Sequence, residues 1–386
     1  MARIHRNHEI LFSVSIPLIG TATGILQWPD AVVFVLNLAA LVPLLAWITR
    51  SVDALSVSVG RSVNELLKAT LGNAVELMIG INAIIQARAQ VSQSVILGSV
   101  LCKLLLVLGG SLFLSGYDKK RLRFDRTLTT ILSSLMMVVF ITLAIPTAMD
   151  AFQSAQPAPS EDILLAQRIT SVTLVGLLLT FLVFRLKTHA AMFAGTPFHS
   201  GRHNRADSHI YGAQEIQIPQ SYLGNGRATL ILAAATLFVF TSTSYLVSSV
   251  GVVAKTLGTN ETFLSLTLIP LFGNFTKYRT IIAGSRSNNQ VEQGIRAVIN
   301  SVLRITMLIA PLLVIVGWMM DQPHILKFDE FEATTLLLSV VVMTYLISDG
   351  RSNYFEGLML VGTYVIIVFS FFVRPETPED VTMRLA

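Results

Sequence analysis

Apolar stretches of about twenty residues recur along this chain, the length a helix needs to cross the hydrocarbon core of a bilayer. They fall near Ile10–Trp28, Ala31–Thr49, Val63–Ala87, Ser94–Ser115, Thr127–Thr147, Ile163–Lys187, Ala228–Val250, Thr262–Ser285, Ile295–Met320, Phe331–Ser348 and Tyr354–Val373. In lipid every backbone donor and acceptor must be satisfied internally, so such runs are helices or the strands of a closed barrel. Barrel strands alternate polar and apolar residues over about ten positions, and these runs do not alternate. With 53% hydrophobic and 13% charged residues and a mean hydropathy of +0.65, the chain is expected to be an all-α polytopic membrane protein of about eleven transmembrane helices.

Other classes drop out quickly. The single cysteine, Cys102, lies in an apolar run, so neither a disulfide framework nor a cysteine-based metal site is expected. Met1–Glu9 is basic, but the apolar stretch after it lacks a small-residue cleavage site and reads as a first membrane helix. The formal charge of +5 speaks to topology and lipid contact. No exposed face interleaves basic and aromatic residues, so no nucleic-acid partner is expected. HExxH, GxSxG and a glycine-rich phosphate cradle are all missing. No enzyme activity and no cofactor are therefore expected.

Glu76 is the residue that breaks this apolar pattern most sharply. It belongs to Gly72-Asn73-Ala74-Val75-Glu76, inside the apolar run Leu66–Ile85. A carboxylate at membrane depth is costly and usually faces a protein interior or an ion path. Asn73 lies three residues earlier and so shares a helical face with Glu76. Two oxygen-bearing side chains there suit a hard cation or a proton; a carboxylate that only locks helix packing is the structural alternative.

Loop charge gives an orientation. Lys119, Lys120, Arg121, Arg123 and Arg126 crowd one connection; Arg202, Arg205 and Arg227 lie in the long central one, and Arg286 and Arg351 in later ones. The intervening connections carry Asp150, Glu161 and Asp162, then Asp321, Asp329 and Glu330. Under the positive-inside rule this alternation places the N-terminus in the cytosol and the C-terminus on the far side. An odd number of spans agrees. The polar stretch Thr188–Arg227 is the only long connection and divides two membrane halves. Its histidines His189, His199, His203 and His209 are scattered, as in a solvated linker, and lack metal-site spacing. Asp349-Gly350-Arg351-Ser352-Asn353 reads as a cytosolic turn. Met136-Met137 and Met319-Met320 read as packing or lipid-facing residues, since no Cys or His stands near to make a copper site.

The halves echo one another. Ala69-Thr70-Leu71-Gly72-Asn73 is matched by Ile269-Pro270-Leu271-Phe272-Gly273-Asn274, and the number of preceding spans makes the two copies enter the membrane in opposite directions. Inverted repeats with helices interrupted at matching places are the mark of secondary transporters with a site near the midplane. The expected organisation is an N-terminal tail and first helix (1–30), a first repeat (31–187), a cytosolic linker (188–227), a second repeat (228–373) and a C-terminal tail (374–386).

These residues resemble the calcium/proton exchangers of the calcium/cation antiporter superfamily, the vacuolar type in particular. The resemblance runs through Gly72–Ile84 (GNAVELMIGINAI), Leu97–Gly109 (LGSVLCKLLLVLG), Leu186–Ala190 (LKTHA), Pro311–Trp318 (PLLVIVGW) and Tyr345–Gly357 (YLISDGRSNYFEG), in family order. It implies eleven membrane helices, two inverted five-helix repeats after an extra N-terminal helix, and exchange of cytosolic calcium for protons. The expected partners are calcium or another small cation, protons and the lipid bilayer, with a homo-oligomer left open. The expected location is a vacuolar or other organellar membrane. It also implies that the paired Gly-Asn-x-x-Glu helices supply the ion-binding carboxylates.

The chain departs from that pattern at its centre. The second motif reads Gly273-Asn274-Phe275-Thr276-Lys277, a lysine where the family has its second carboxylate. Lys103, Arg304 and Lys68 replace family Asn, Gln and Asn, and Asp207 and Glu215 are the only acids of the linker. Calcium takes six to eight oxygen ligands, whereas charged lysine and arginine offer donors alone. At an effective dielectric of about 20, like unit charges 4 Å apart repel by about 4 kcal/mol.

The expected ion or proton path therefore comprises Glu76, Asn73, Asn274, Lys277, Lys103 and Arg304, with Glu76 the one candidate metal ligand. The leading reading is a secondary active cation/proton antiporter, with Ca2+/H+ exchange moving calcium out of the cytosol. The alternatives are an anion transporter, or a non-transporting relative in which Glu76 and Lys277 form an internal ion pair.

Overall fold

The structure, a computed structural model, describes residues 2–56, 61–118, 121–153, 161–189, 224–285, 291–321 and 328–374. Most of the linker 188–227, with His199, His203, His209, Arg202 and Arg205, lies outside them, as do Lys119, Lys120, Arg286 and the tail beyond Arg374. In chain order the first half holds α1 (Ala2–Ile25), α2 (Asp30–Ser56), α3 (Arg61–Thr70), α4 (Ala74–Ile85), α5 (Ala89–Gly116), α6 (Arg126–Gln153) and α7 (Glu161–Val183). The second half holds α8 (Asn225–Leu257), α9 (Glu261–Gly273), α10 (Phe275–Ser285), α11 (Val291–Met319), α12 (Glu330–Ile347) and α13 (Tyr354–Val373).

Among the described residues, eight helices are long and apolar enough to cross a membrane: α2, α5, α6, α7, α8, α11, α12 and α13. The three other expected segments differ from these. Ile10–Trp28 contributes the shorter apolar stretch Val14–Ile25, and Val63–Ala87 and Thr262–Ser285 are each split into two helices. Both breaks have a chemical cause. Leu71–Asn73 tightens into a 3-10 turn, and Asn73 leaves helical geometry at φ −122°, ψ 38°. Asn274 does the same at φ −122°, ψ 13°.

Pro270, near the end of α9, has no N–H to give the carbonyl of Leu266 one turn earlier. Gly98 of α5 lies against that carbonyl, where a Cβ would stand only 1.9 Å from the oxygen. The proline frees a carbonyl, and the glycine lets a neighbouring backbone close over it.

Each broken helix is followed by a long helix with a π turn: Cys102–Val107 within α5 and Ile305–Ile309 within α11. Such turns are rare and gather at functional sites. The core forms two apolar clusters. One joins Leu41, Leu44, Val75, Ile79, Val247 and Ile269 of α2, α4, α8 and α9. The other joins Leu97, Leu104, Phe140, Val302, Met343 and Leu360 of α5, α6 and α11–α13. Helix α4 feeds both, with Val75 in one and Leu77 in the other, so Glu76 stands on the seam. Large apolar side chains such as Val172, Leu230, Leu237 and Ile366 are exposed, as a lipid-facing surface requires.

At the helix ends, polar caps replace missing backbone partners. Asn260 accepts from the Phe263 N–H, Asn353 from the Glu356 N–H, and Asp329 with Glu332 forms a capping box. The basic loop after α5 pairs with the turn before α13, Leu122 opposite Ser352 and Arg123 opposite Arg351. The expected turn is there: Gly350 has φ +67°, a left-handed conformation that glycine adopts freely. Met136 is buried and Met319 exposed, so these methionines serve packing and surface.

Candidate functional site

The two breaks bring their asparagines to one carboxylate. Glu76 sits in the first turn of α4, where the positive end of the helix dipole favours an anion. It is 1% exposed, Asn73 and Lys103 are each 2% exposed, and Asn274 is fully enclosed. Asn274 Nδ2 donates to Glu76 Oε1 at 2.8 Å, across the boundary between the halves. Lys103 Nζ, from the π turn of α5, donates to the same oxygen at 2.9 Å and to Asn73 Oδ1 at 3.4 Å. Asn73 Oδ1 also accepts from Ser301 Oγ of α11 at 3.3 Å. Four helices thus converge on two side-chain oxygens.

At 2.9 Å the Glu76–Lys103 pair attracts by about 6 kcal/mol in an effective dielectric of about 20. Desolvation of two buried ions costs several kcal/mol each, so the net stabilisation is small; loss of one partner, in contrast, strands a buried charge. Lys277 adds positive charge within electrostatic range of the same carboxylate, from the first turn of α10. Lys103 grips the Glu76 carboxylate directly. The thiol of Cys102 is buried beside the hydroxyls of Tyr278 and Tyr364, just outside this cluster.

Arg304 lines a small cavity with Arg185 of the π turn that follows α7, Asn300 of α11 and Leu66 of α3. Ser301, one turn before it, contacts Asn73 at the centre. The signal for it stands in the sequence: Ser99-Val100-Leu101 of α5 is repeated as Ser301-Val302-Leu303 of α11. Other polar residues of α4 are structural. Asn82 donates to the Phe240 carbonyl and to Thr243 Oγ1, and Gln86 to the Ser244 carbonyl, so both tie α4 to α8.

The free valences at the centre suit a hard cation better than a soft one. Glu76 Oε2 and Asn274 Oδ1 are buried without a protein hydrogen-bond partner, and both are oxygens. Among the described residues no group of three or more His, Cys, Asp or Glu gathers in one place. The donor set is one carboxylate with amide and hydroxyl oxygens, and an ammonium already shares it.

A bundle of membrane-spanning helices with two interrupted helices meeting at a buried acid defines a transporter-like class of membrane protein. The chain belongs to the sodium/calcium exchanger protein family, whose pattern it matches over residues 30–187 and 227–373. It is 32% identical over 367 residues to the vacuolar calcium ion transporter of Schizosaccharomyces pombe, covering 95% of this chain and 85% of that one. It is 30% identical over 354 residues to a Ca(2+)/H(+) antiporter of Synechocystis, covering 91% and 93%. Among solved structures, native YfkE superposes with a TM-score of 0.76 at 24% identity, over 95% of this chain and 99% of that one. The H+/Ca2+ exchanger CAX superposes at 0.67 and 11% identity, over 98% and 94%.

Proposed function

We propose that this chain is a secondary active cation/proton antiporter that moves calcium out of the cytosol, across a vacuolar membrane, in exchange for protons. The observation that carries this reading is Glu76, buried where the two interrupted helices meet, with Asn73 and Asn274 beside it and one carboxylate oxygen free of protein partners. The names of the fission-yeast and cyanobacterial relatives support it.

The proposed architecture has eleven spans, each broken helix counting as one: a first helix (1–30), then inverted repeats 31–187 and 228–373 joined by the linker 188–227, with a tail from 374. Matching asparagine geometry and matching π turns support the repeat. The N-terminus faces the cytosol, as does the basic pairing of Arg123 with Arg351.

Reconstitution into vesicles with an acidic interior tests this. Calcium-45 uptake is expected to saturate, to collapse when a protonophore abolishes the gradient, and to vanish in Glu76→Gln. Gradient-independent flux, or uptake unaffected in Glu76→Gln, would overturn the assignment. A second reading rests on Lys103: with its ammonium on Glu76 the centre has no net negative charge. A relative that carries anions, or carries nothing, would then give anion flux or silence in the same vesicles.

A further inference from the structure

The transported cation and the Lys103 ammonium want the same oxygens. Lys103 Nζ contacts Glu76 Oε1 and Asn73 Oδ1, two side-chain oxygens of the centre, while Glu76 Oε2 and Asn274 Oδ1 keep no protein partner. Calcium takes about six to eight oxygens at about 2.3–2.6 Å, more than the free pair supplies, so a cation that draws its shell from these side chains competes with the ammonium for the oxygens it holds. The ammonium contacts the Glu76 carboxylate and the Asn73 amide oxygen, Lys277 adds positive charge near the same carboxylate, and Cys102, beside Tyr278 and Tyr364, precedes Lys103 in the π turn. Glu76 is the one carboxylate among them, so the competition has a single prize.

Lys103 also stands on an irregular turn of its helix. Its charge rides on a flexible four-carbon stem, and its Cα lies in the π turn Cys102–Val107. A π turn holds one residue more than an α turn. Moving that extra residue along α5 rotates the intervening side chains by roughly 100°. Lys277 adds positive charge near the same carboxylate.

We propose that Lys103 is a tethered competitor: its ammonium holds the cation position in this conformation, and the transported ion binds by displacing it. Lys103 is then a specificity-determining residue that sets cation affinity and turns away ions too weakly bound to displace it. This rests on the antiporter reading and deepens it.

The test uses the full chain, purified once in detergent for equilibrium calcium-45 binding and once in acid-interior vesicles for uptake. Lys103→Asn, Lys103→Gln and Lys103→Arg are compared with the unaltered chain, each checked by thermal melting. The two neutral variants are expected to bind calcium at least about tenfold more tightly, because a like charge has left the site. Lys103→Arg is expected to stay within about twofold of the unaltered chain for the converse reason. Lys103→Gln keeps a stem and a donor for Glu76, so it carries the test where the shorter variant does not fold.

Folded neutral variants with unchanged affinity would overturn the proposal, as would absence of calcium binding in every folded variant. Calcium binding that appears only in the neutral variants would overturn both the displacement and calcium exchange by the unaltered chain. Normal uptake with affinity indifferent to position 103 would overturn the proposal and leave the antiporter reading standing.

Discussion

The two interrupted helices carry nearly the same backbone and opposite chemistry. Asn73 and Asn274 share φ −122° and differ in ψ by 38° against 13°; each ends one helix segment and opens the next. Three residues on, one copy has Glu76 and the other Lys277. Glu76 is buried and its charge agrees with the dipole of α4, whereas Lys277 is half-buried and opposes that of α10. A frame built by Asn, Gly, Pro and packing therefore survives inversion of the charge it displays. Fold and chemistry at this centre are set by different residues.

The largest expected effect comes from the acid copy. Glu76→Gln is expected to lose about 3–5 kcal/mol of stability, because it strands the Lys103 ammonium. Adding Lys103→Met should recover most of this, and adding Lys277→Met much less. Chemical denaturation in detergent measures both, and a better rescue through Lys277 would show that the carboxylate answers chiefly to the opposite copy.

Next come the glycines. Gly98→Ala forces a Cβ against the Leu266 carbonyl and should cost about 3 kcal/mol or more in melting experiments, since backbone cannot yield as a side chain does. Gly273→Ala meets side chains alone, Val75 Cγ1 nearest at 2.9 Å, and should cost about 1 kcal/mol. Gly72→Ala meets nothing within 4 Å and should stay within about 0.5 kcal/mol. Equal costs at Gly72 and Gly273 would mean the two breaks are equally tight.

Smaller differences separate the asparagines. Asn274→Ala removes a 2.8 Å donor from a carboxylate and should cost about 1.5–3 kcal/mol. Asn73→Ala gives up contacts of 3.3–3.4 Å and should cost about 0.5–1.5 kcal/mol. The reverse order would place the tighter half of the site in the first copy. Smallest of all, Lys277→Met should move stability by no more than about 1 kcal/mol, the scale of a partly exposed charge at a helix end.

Much of this was legible in the residues. Eight spans follow from apolar length, and both breaks from Gly72-Asn73 and Pro270 to Asn274. Glu76 stands out because no apolar run tolerates a carboxylate without a reason. The sequence marks Lys103 as a base near the centre, yet its pairing with Glu76 is not readable there, since the two lie 27 residues apart on different helices. Ser301 reaches Asn73 from the same helix on which Arg304 lines a cavity beside Arg185. On a helix a few tens of degrees of rotation decides between neighbouring positions, and only packing supplies that angle.

The chain by itself determined what it must live in, where its helices run and which acid is exceptional, because hydropathy and glycine or proline chemistry act locally. Tertiary structure alone decided which base holds that acid, which serine supports Asn73 and which glycine admits the Leu266 carbonyl. Those outcomes depend on the rotation and approach of whole helices, which no short stretch of residues specifies.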